Sequence, residues 1–254
     1  MTLSPLQSLA IIYPLKIIYK EYILFYVTIL IKKEGLIVKL LFVTATNTDI
    51  GKTYTTLQLI ELFSKQNIRV GVCKPIETGV INQPLDATKL LTKVQEYNPK
   101  FKDLKPKDIT AYTFTLPASP FSADIQKIIK IEKIKEKIEA LKELCDLLII
   151  EGAGGLMVPI TQTYTMIDLA QELNAKTLLV TPSKLGCIND TLLSIEALKH
   201  RNIPFDWCVN LYQEQEAFKT VTQPFYDKAF PQWWSLQKGL KSFTKAHILE
   251  YNSK

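Results

Sequence analysis

The fold of this chain is decided by the stretch Ala45-Thr-Asn-Thr-Asp-Ile-Gly-Lys-Thr53. An apolar run, residues 39–44, precedes it, and residues 53–65 follow with leucine and isoleucine at near-helical spacing. Apart from Ala45, which stands where the pattern has glycine, the stretch fits the phosphate-binding loop G-x-x-x-x-G-K-[ST] between a strand and a helix. In such loops, backbone N–H groups surround phosphate oxygens, the lysine neutralises the outer phosphates, and the last hydroxyl binds Mg²⁺. The stretch therefore predicts a nucleotide site; the alternative is a chance Gly-Lys-Thr at a helix start.

Strands and helices alternate along the rest of the chain. Short apolar runs predict strands at 39–44, 69–74, 147–150, 177–180 and 207–210. Helical spacing of apolar residues predicts helices at 53–65, 86–91, 131–144 and 189–200. Because fully apolar strands separated by helices are typical of a parallel sheet covered on both faces, we predict an α/β fold. The expected architecture is a doubly wound, mostly parallel sheet flanked by helices, of the phosphate-loop NTPase type, with ligands at the carboxyl ends of the strands.

Composition excludes several classes of protein. With 47% hydrophobic and 22% charged residues, 9 Gly and 13 Pro among 254 residues, the chain is neither collagen-like nor disordered. The net charge is +6, but 31 basic and 25 acidic residues are interspersed, which indicates a solvated surface and no nucleic-acid partner. Four cysteines form no C-x-x-C pair and several lie in apolar runs: Cys73, Cys145, Cys187 and Cys208. Unpaired buried thiols favour a reducing, cytoplasmic location.

The amino-terminal residues differ in character from the rest. Residues 9–41 are almost wholly aliphatic and aromatic, yet the uncharged piece 22–31 has only ten residues. That is about half of a bilayer crossing, so a membrane anchor is not favoured. We interpret residues 1–38 as a hydrophobic extension outside a single domain of residues 39–254. An amphipathic helix packed on the domain is the alternative.

Charged residues occupy the predicted strand ends. Glu151 opens Glu-Gly-Ala-Gly-Gly155, where we expect a turn with close backbone approach, and a carboxylate there commonly holds Mg²⁺. Lys74 would face the same crevice as Lys52, and two ammonium groups suit a substrate that gains negative charge. Asp86 lies at a helix start and is a metal candidate only in this company. The alternatives are that Glu151 is a capping carboxylate, that Lys74 is a solvated lysine at a strand end and that Asp86 is an N-cap.

These motifs together resemble the dethiobiotin synthetases. The resemblance covers about residues 39–210 and is carried, in order, by the 45–53 stretch, Lys74-Pro-Ile-Glu-Thr-Gly79, Asp86, Tyr112-Thr-Phe with Ser119-Pro120, Glu151-Gly-Ala-Gly-Gly155 and Lys184-Leu-Gly-Cys-Ile-Asn189. It implies that 7,8-diaminononanoate, CO₂ and ATP are converted to dethiobiotin, ADP and phosphate with Mg²⁺, a ligase step of biotin synthesis.

The resemblance also implies residue roles. Lys52 and Lys74 would act as catalytic cations, and Thr53, Asp86 and Glu151 would hold Mg²⁺. The expected nucleotide-binding residues are Asp49, Ile50, Gly51, Lys52, Thr53, Tyr54, Asp86, Glu151, Gly152, Ala153, Gly154 and Asn210. The expected substrate residues are Thr48, Thr78, Gly186, Cys187 and Asn189. The helix start at 186–189 would receive the substrate carboxylate of a neighbouring subunit, which implies a homodimer; an ordinary helix start capped by Asn189 is the alternative.

The chain departs from the family pattern after Asn210. Leu-Tyr-Gln-Glu-Gln follows, where the family usually has an acidic residue and a proline-rich loop, and Pro231-Gln-Trp-Trp234 matches no family segment. The nucleobase preference and the role of residues 224–254 therefore stay open.

Two other functions compete with the ligase hypothesis. Partition-type switch ATPases share the fold but carry an additional lysine early in the loop, where this chain has Thr46, Asn47 and Thr48. Amidotransferase-type synthetases of cobalamin synthesis share the loop and the Glu-Gly-Ala-Gly-Gly element but add a glutaminase domain, for which this chain has no room.

Overall fold

The computed structural model describes residues 39–252. The predicted extension, residues 1–38, lies outside the described residues, so the domain boundary at residue 39 stays a prediction.

Five strands form the main sheet, and two more form a small one. In chain order the strands are β1 (Lys39–Ala45), β2 (Val70–Cys73), β3 (Ile76–Thr78), β4 (Tyr112–Phe114), β5 (Leu147–Gly155), β6 (Lys176–Pro182) and β7 (Phe205–Asn210). The main sheet has the order β2-β5-β1-β6-β7, and β3 pairs with β4 in the small sheet. All of these strand pairs are parallel. The predicted parallel α/β sheet is thus confirmed.

Helices connect and flank the strands. They are α1 (Lys52–Ser64), α2 (Leu85–Gln95), α3 (Pro106–Ile109), α4 (Pro120–Ala123), α5 (Ile131–Lys142), α6 (Met166–Glu172), α7 (Cys187–His200), α8 (Gln215–Ala217), α9 (Gln223–Ala229) and α10 (Leu236–Asn252). A 3-10 turn, Pro99–Phe101, and a π turn, Phe218–Thr222, complete the elements. Among these helices of residues 39–252, none is both long enough and apolar enough to cross a bilayer.

The core forms where the central strands are apolar on both faces. Residues 41–43 of β1 and 148–150 of β5 are fully buried. Helix α1 buries Leu59, Ile60 and Phe63 and packs against both strands. Because β1 lies at the centre of the sheet, its carboxyl end emerges between β5 and β6, and the loop that follows starts α1 there. The four cysteines are buried and free, as predicted.

The structure corrects two local predictions. The predicted end of β5 at Ile150, with a turn after Glu151, is wrong: the strand continues to Gly155, which pairs with Ala45 after a register shift. The expected close approach is present, since a Cβ at Gly155 would lie 2.8 Å from the Thr46 carbonyl oxygen. Asp86 is also not an N-cap, because α2 begins at Leu85 with Pro84 at that position. The small sheet was not predicted, since strands of three residues show no alternation pattern.

The carboxyl-terminal segment closes the edge of the sheet beside β7. The Val209 N–H donates to the Trp234 carbonyl oxygen at 3.0 Å, and Val209 forms a bridge with Ser235. The Trp234 ring stacks on Phe243 of α10 with ring centroids 5.5 Å apart. These contacts fix the start of α10 next to the end of β7.

The buried amide of Asn98 offers a test of this fold. Its Nδ2 donates to the carbonyl oxygens of Val70 (2.9 Å) and Leu144 (3.1 Å), and its side chain is 1% exposed. Replacing it with alanine leaves two buried carbonyls without these donors, so we expect Asn98→Ala to lower the free energy of unfolding by roughly 2–4 kcal/mol. Urea denaturation measures the change. The exposed Asn82→Ala serves as the control, and equal stability of the two variants would contradict the assignment.

Candidate active site

The loop between β1 and α1 has the backbone conformation of an anion-binding loop. Gly51 precedes α1 with a φ of 102°, and Asp49 has a φ of 58°, which is unusual for a residue other than glycine. The Lys52 ammonium donates to the Asn47 carbonyl oxygen at 2.9 Å and so curls over the loop. Ala45 pairs in extended conformation with Val180 of β6, which explains why alanine is accepted at the first position of the motif.

Residues from the end of β2, from within β5 and from the starts of α1 and α2 form a charged cluster beside this loop. The Lys74 ammonium donates to Glu151 Oε1 at 2.7 Å and lies 3.4 Å from Asp86 Oδ2. The Thr53 hydroxyl donates to the same Glu151 oxygen at 2.9 Å. Lys74 is 3% exposed and Glu151 is fully buried, so this ion pair is shielded from water. The predicted convergence of Lys52, Lys74, Thr53, Asp86 and Glu151 is therefore present.

The two lysines differ in their pKa values. The pKa of Lys52 is lowered to about 8, mostly by burial and also by the charge of Lys74, while nearby carboxylates partly offset both effects. Burial would also lower the pKa of Lys74, but the charges of Glu151 and Asp86 outweigh it and raise that pKa above its ordinary value. Lys74 therefore stays charged near neutral pH, whereas Lys52 is poised to gain stability from an incoming anion.

Glu77 holds the start of α2 in place. Its two carboxylate oxygens accept hydrogen bonds from the backbone N–H groups of Asp86 and Ala87, each at 2.9 Å. Burial raises the pKa of Glu77, and these two hydrogen bonds oppose that shift. Since Glu77 belongs to β3, this capping contact fixes Asp86 relative to Lys74 and β2.

The loop and the charged cluster line one cleft of about 680 Å³. Its lining contains the expected residues Thr48, Asp49, Gly51, Lys52, Thr53, Tyr54, Lys74, Thr78, Asp86, Ala153 and Gly154. Glu151 lies beneath, joined to Thr53 and Lys74, and Gly152 accepts from Lys74 through its carbonyl oxygen at 3.3 Å. An anionic, phosphate-bearing molecule fits this arrangement, because Lys52, Lys74 and the loop line one partly enclosed volume.

Comparison with known proteins agrees with this geometry. The family profile described as the AAA domain matches residues 39–222. The ATP-dependent dethiobiotin synthetase BioD of Sulfurovum sp. (strain NBC37-1) is 57% identical over 81% of this chain and 98% of its own length. That of Wolinella succinogenes is 35% identical over 82% of this chain and 97% of its own length.

The chain belongs to the dethiobiotin synthetase family.

Among solved structures, HypB from Helicobacter pylori in complex with nickel aligns with a TM-score of 0.50 and 16% identity, covering 85% of this chain and 88% of its own. At that identity the likeness shows the phosphate-loop NTPase fold alone. The family, the fold and the ligase class inferred from the sequence are thereby confirmed. The individual residue roles are not tested by these comparisons and stay predictions.

Some expected dethiobiotin synthetase residues lie away from the cleft. Gly186, Cys187 and Asn189 form the start of α7 and are not part of its lining. The Cys187 side chain is buried in a separate cluster with Val209, Phe218 and Tyr226. A role of this helix start toward a neighbouring subunit stays a prediction. Because the Cys187 side chain is buried, such a contact would involve backbone groups of the helix start and the Asn189 side chain.

Asn210 and its neighbours contact the phosphate loop from behind. Asn210 Nδ2 donates to the Ile50 carbonyl oxygen at 3.0 Å, and the Tyr212 hydroxyl donates to the Asp49 carbonyl oxygen at 2.6 Å. Ile50 itself is buried, so it contributes its backbone to the loop. Gln237 Nε2 donates to Asn210 Oδ1 at 2.9 Å.

Sequence reasoning missed Glu77, Tyr212 and Gln237. Glu77 stands inside a quoted motif, and a carboxylate shortly before a helix start could have indicated a cap from outside the helix. Tyr212 contacts Asp49, which is 163 residues away along the chain, and Gln237 contacts Asn210, which is 27 residues away. No local sequence pattern predicts contacts between such distant residues.

The lowered pKa of Lys52 leads to a test of the phosphate site. Anionic phosphates stabilise the ammonium form, so at pH 8 binding of ATP–Mg²⁺ should take up roughly half a proton per chain, and at pH 6.5 much less. Titration calorimetry in buffers of different ionisation enthalpy measures this uptake. Lys52→Arg keeps the charge at every pH and should abolish the uptake; the same uptake in that variant would assign the proton to another group.

Proposed function

We propose that this chain closes 7,8-diaminononanoate with CO₂ to dethiobiotin in the cleft described above, with conversion of ATP to ADP and phosphate. ATP-dependent dethiobiotin synthesis is the activity of the family to which the chain belongs. The observation that carries the assignment of the site is the pair of buried ammonium groups, Lys52 and Lys74, facing one cleft at the start of α1.

The charge changes of this reaction match the site. One amine of the substrate takes up CO₂ as a carbamate and loses a proton, and a carbamate oxygen attacks the γ-phosphate and displaces ADP. The second amine then attacks the carbamate carbon, loses a proton and closes the ureido ring as phosphate leaves. Each intermediate is anionic, and no side-chain nucleophile is required. Preorganised cations that face the developing charge lower such barriers, because they do not have to reorient during the reaction.

The two lysines divide the task. Lys52 belongs to the phosphate loop and would bind the outer phosphates of ATP. Lys74 emerges from the end of β2, on the side where Thr78 and Thr48 line the cleft, and would stabilise the carbamate and its phosphorylated form. Thr48 and Thr78 would orient the diamine or its carbamate through their hydroxyl groups.

Mg²⁺ fits the oxygen donors beside the loop. Glu151 Oε2 is buried without a hydrogen-bond partner among the described residues, which leaves one strong acceptor on the carboxylate that already contacts Thr53 and Lys74. The Thr53 hydroxyl and the carboxylates of Glu151 and Asp86 are the oxygen ligands that Mg²⁺ prefers. We propose that these three residues hold it. When bound, it supplies positive charge at the β- and γ-phosphates.

We also propose an assembly and a cellular location. The start of α7 has no side-chain cap and is not part of the cleft lining, which supports a homodimer in which this helix start receives the carboxylate of a neighbouring subunit's substrate. Four free buried thiols support a cytoplasmic location. The partition-type switch leaves Lys74 without a role, and no observation in the site favours it.

The reaction itself is tested directly. Purified protein incubated with 7,8-diaminononanoate, bicarbonate, Mg²⁺ and ATP should produce dethiobiotin, identified by mass, together with one ADP per product. ATP hydrolysis that proceeds without the diamine and yields no dethiobiotin would favour a nucleotide switch.

The roles of the two lysines can be separated by substitution. Lys74→Met should leave the Kd of ATP–Mg²⁺ within about threefold and reduce kcat/KM for the diamine by roughly two to four decades, since one charge facing a developing anion is lost. Lys52→Met should weaken both. Steady-state kinetics and calorimetry measure these effects.

Lys89→Met, an exposed lysine on α2, is the matched control. Because Lys74→Met leaves Glu151 buried without its ion-pair partner, its thermal midpoint should also fall, and assays belong well below that temperature. Normal turnover by Lys74→Met would contradict the proposed mechanism at its most specific residue.

The metal proposal predicts a binding phenotype as well as a kinetic one. In the unmodified protein Mg²⁺ should tighten ATP binding, and in Glu151→Gln most of this tightening should disappear, because a neutral amide is a poor Mg²⁺ ligand. Calorimetry with and without Mg²⁺ measures the difference. Glu143→Gln, an exposed carboxylate before β5, is the control. An undiminished effect of Mg²⁺ in Glu151→Gln would exclude Glu151 as a ligand.

A further inference from the structure

The last residue of β7 and the segment that follows it hold two consecutive peptides of the phosphate loop. Tyr212 donates to the carbonyl oxygen of Asp49 and Asn210 donates to that of Ile50. A trans peptide is planar, and its C=O and N–H groups point in opposite directions. Fixing these two carbonyls on the outside of the loop therefore directs the N–H groups of Ile50 and Gly51 toward its inside, where phosphate oxygens bind.

The conformation held in this way is intrinsically unfavourable. Asp49 has a φ of 58° and Gly51 a φ of 102°, both in the left-handed region. A residue with a side chain costs free energy there, so the conformation needs support from its surroundings. Gly51 is also fitted closely against the support, since a Cβ there would lie 2.4 Å from Asn210 Nδ2.

Gln237 sets the orientation of the Asn210 amide. Gln237 Nε2 donates to Asn210 Oδ1 at 2.9 Å, and its Oε1 accepts from the Leu211 N–H at 3.2 Å. With Oδ1 engaged by a donor, Nδ2 of Asn210 faces the Ile50 carbonyl. Gln237 lies in the first turn of α10, whose start is fixed to β7 through Val209 and Trp234.

We propose that Tyr212 and Gln237 are positioning residues for the triphosphate of the nucleotide. They act through the Asp49 and Ile50 peptides, without touching the nucleotide, and they give the carboxyl-terminal helix α10 a part in phosphate binding. The proposal rests on the proposed function only in that a triphosphate occupies the loop. Because the support acts on N–H groups that meet phosphates, its loss should weaken all triphosphates equally and leave base selectivity unchanged.

Two substitutions remove the contacts with little change of shape. Tyr212→Phe deletes the hydroxyl from a ring that is 43% exposed, and Gln237→Met removes both amide contacts. The probes are ATP, CTP and inorganic tripolyphosphate, each with Mg²⁺ and titrated by calorimetry. For each variant we expect the three Kd values to rise by the same factor, about 3- to 10-fold, the scale of one hydrogen bond.

Kinetics distinguish positioning from general damage. KM for ATP should rise by the same factor, whereas KM for the diamine and kcat should stay within about twofold. Gln215→Met is the matched control for Gln237→Met, since Gln215 Nε2 donates to the Leu211 carbonyl oxygen at 2.8 Å, which lies outside the phosphate loop. Tyr164→Phe, which loses a hydroxyl contact with Glu172, is the control for Tyr212→Phe. Both controls should bind all three probes normally.

Several outcomes would overturn the proposal. Unchanged Kd values in Tyr212→Phe exclude it as a positioning residue, and this variant decides the matter even where Gln237→Met fails to fold. A loss of ATP affinity without a loss for tripolyphosphate would indicate a direct contact with the base instead. Equal rises in KM for ATP and the diamine would indicate a general distortion. If the unmodified protein binds the three probes but forms no dethiobiotin, the proposed reaction fails while the positioning role is still tested.

Discussion

The ion pair between Lys74 and Glu151 is the interaction on which the site depends. Both groups are withdrawn from water, and a buried charge without its partner costs several kcal/mol, roughly 3–5. The pair forms because β2 and β5 are adjacent parallel strands, so that Lys74, directly after β2, meets a carboxylate that β5 presents at the same level. Glu151 then also engages Thr53, which joins the phosphate loop to the same point. One carboxylate therefore connects three segments of the cleft.

The electrostatics of the cleft follow from this arrangement. Lys74 is neutralised by Glu151 and Asp86, yet its charge still contributes to lowering the pKa of Lys52. The two ammonium groups repel each other, and an anion that binds between them relieves this repulsion. Such preorganisation favours ligands whose charge grows during a reaction over ligands that are neutral throughout.

Much of this site could be predicted from the sequence because its signals are local. The phosphate loop is a continuous stretch, and Lys74, Glu151 and Asn210 each stand at the end of an apolar run, where parallel topology brings them to one edge. The extension of β5 through Gly155 was not predictable in the same way, since Gly-Ala-Gly-Gly is typical of a turn. In the structure Gly154 has a φ of 66°, the register shifts, and Gly155 then pairs with Ala45.

The contacts that depend on distant segments were beyond sequence reasoning for a related reason. Glu77 caps a helix to which it does not belong, and β3 and β4 are each too short to show a period. The aromatic segment around Trp234 matched no family pattern, although it fixes the start of α10 beside β7. In each case the local sequence shows the residue but does not indicate which distant residue it contacts, because tertiary packing determines the pairing.

The central place of β1 has a consequence for synthesis of the chain. Although β1 and the phosphate loop leave the ribosome early, β1 gains its neighbours β5 and β6 only after Pro182 has been made. The hydrogen bond from Asn210 to the loop, and then that from Gln237 to Asn210, form only after these residues have been made. Long-range pairings of this kind form late and slowly. A nascent chain that already displays the complete phosphate-loop motif therefore lacks a finished nucleotide site until most of the domain has emerged, and cotranslational binding of ATP cannot assist the early steps of its folding.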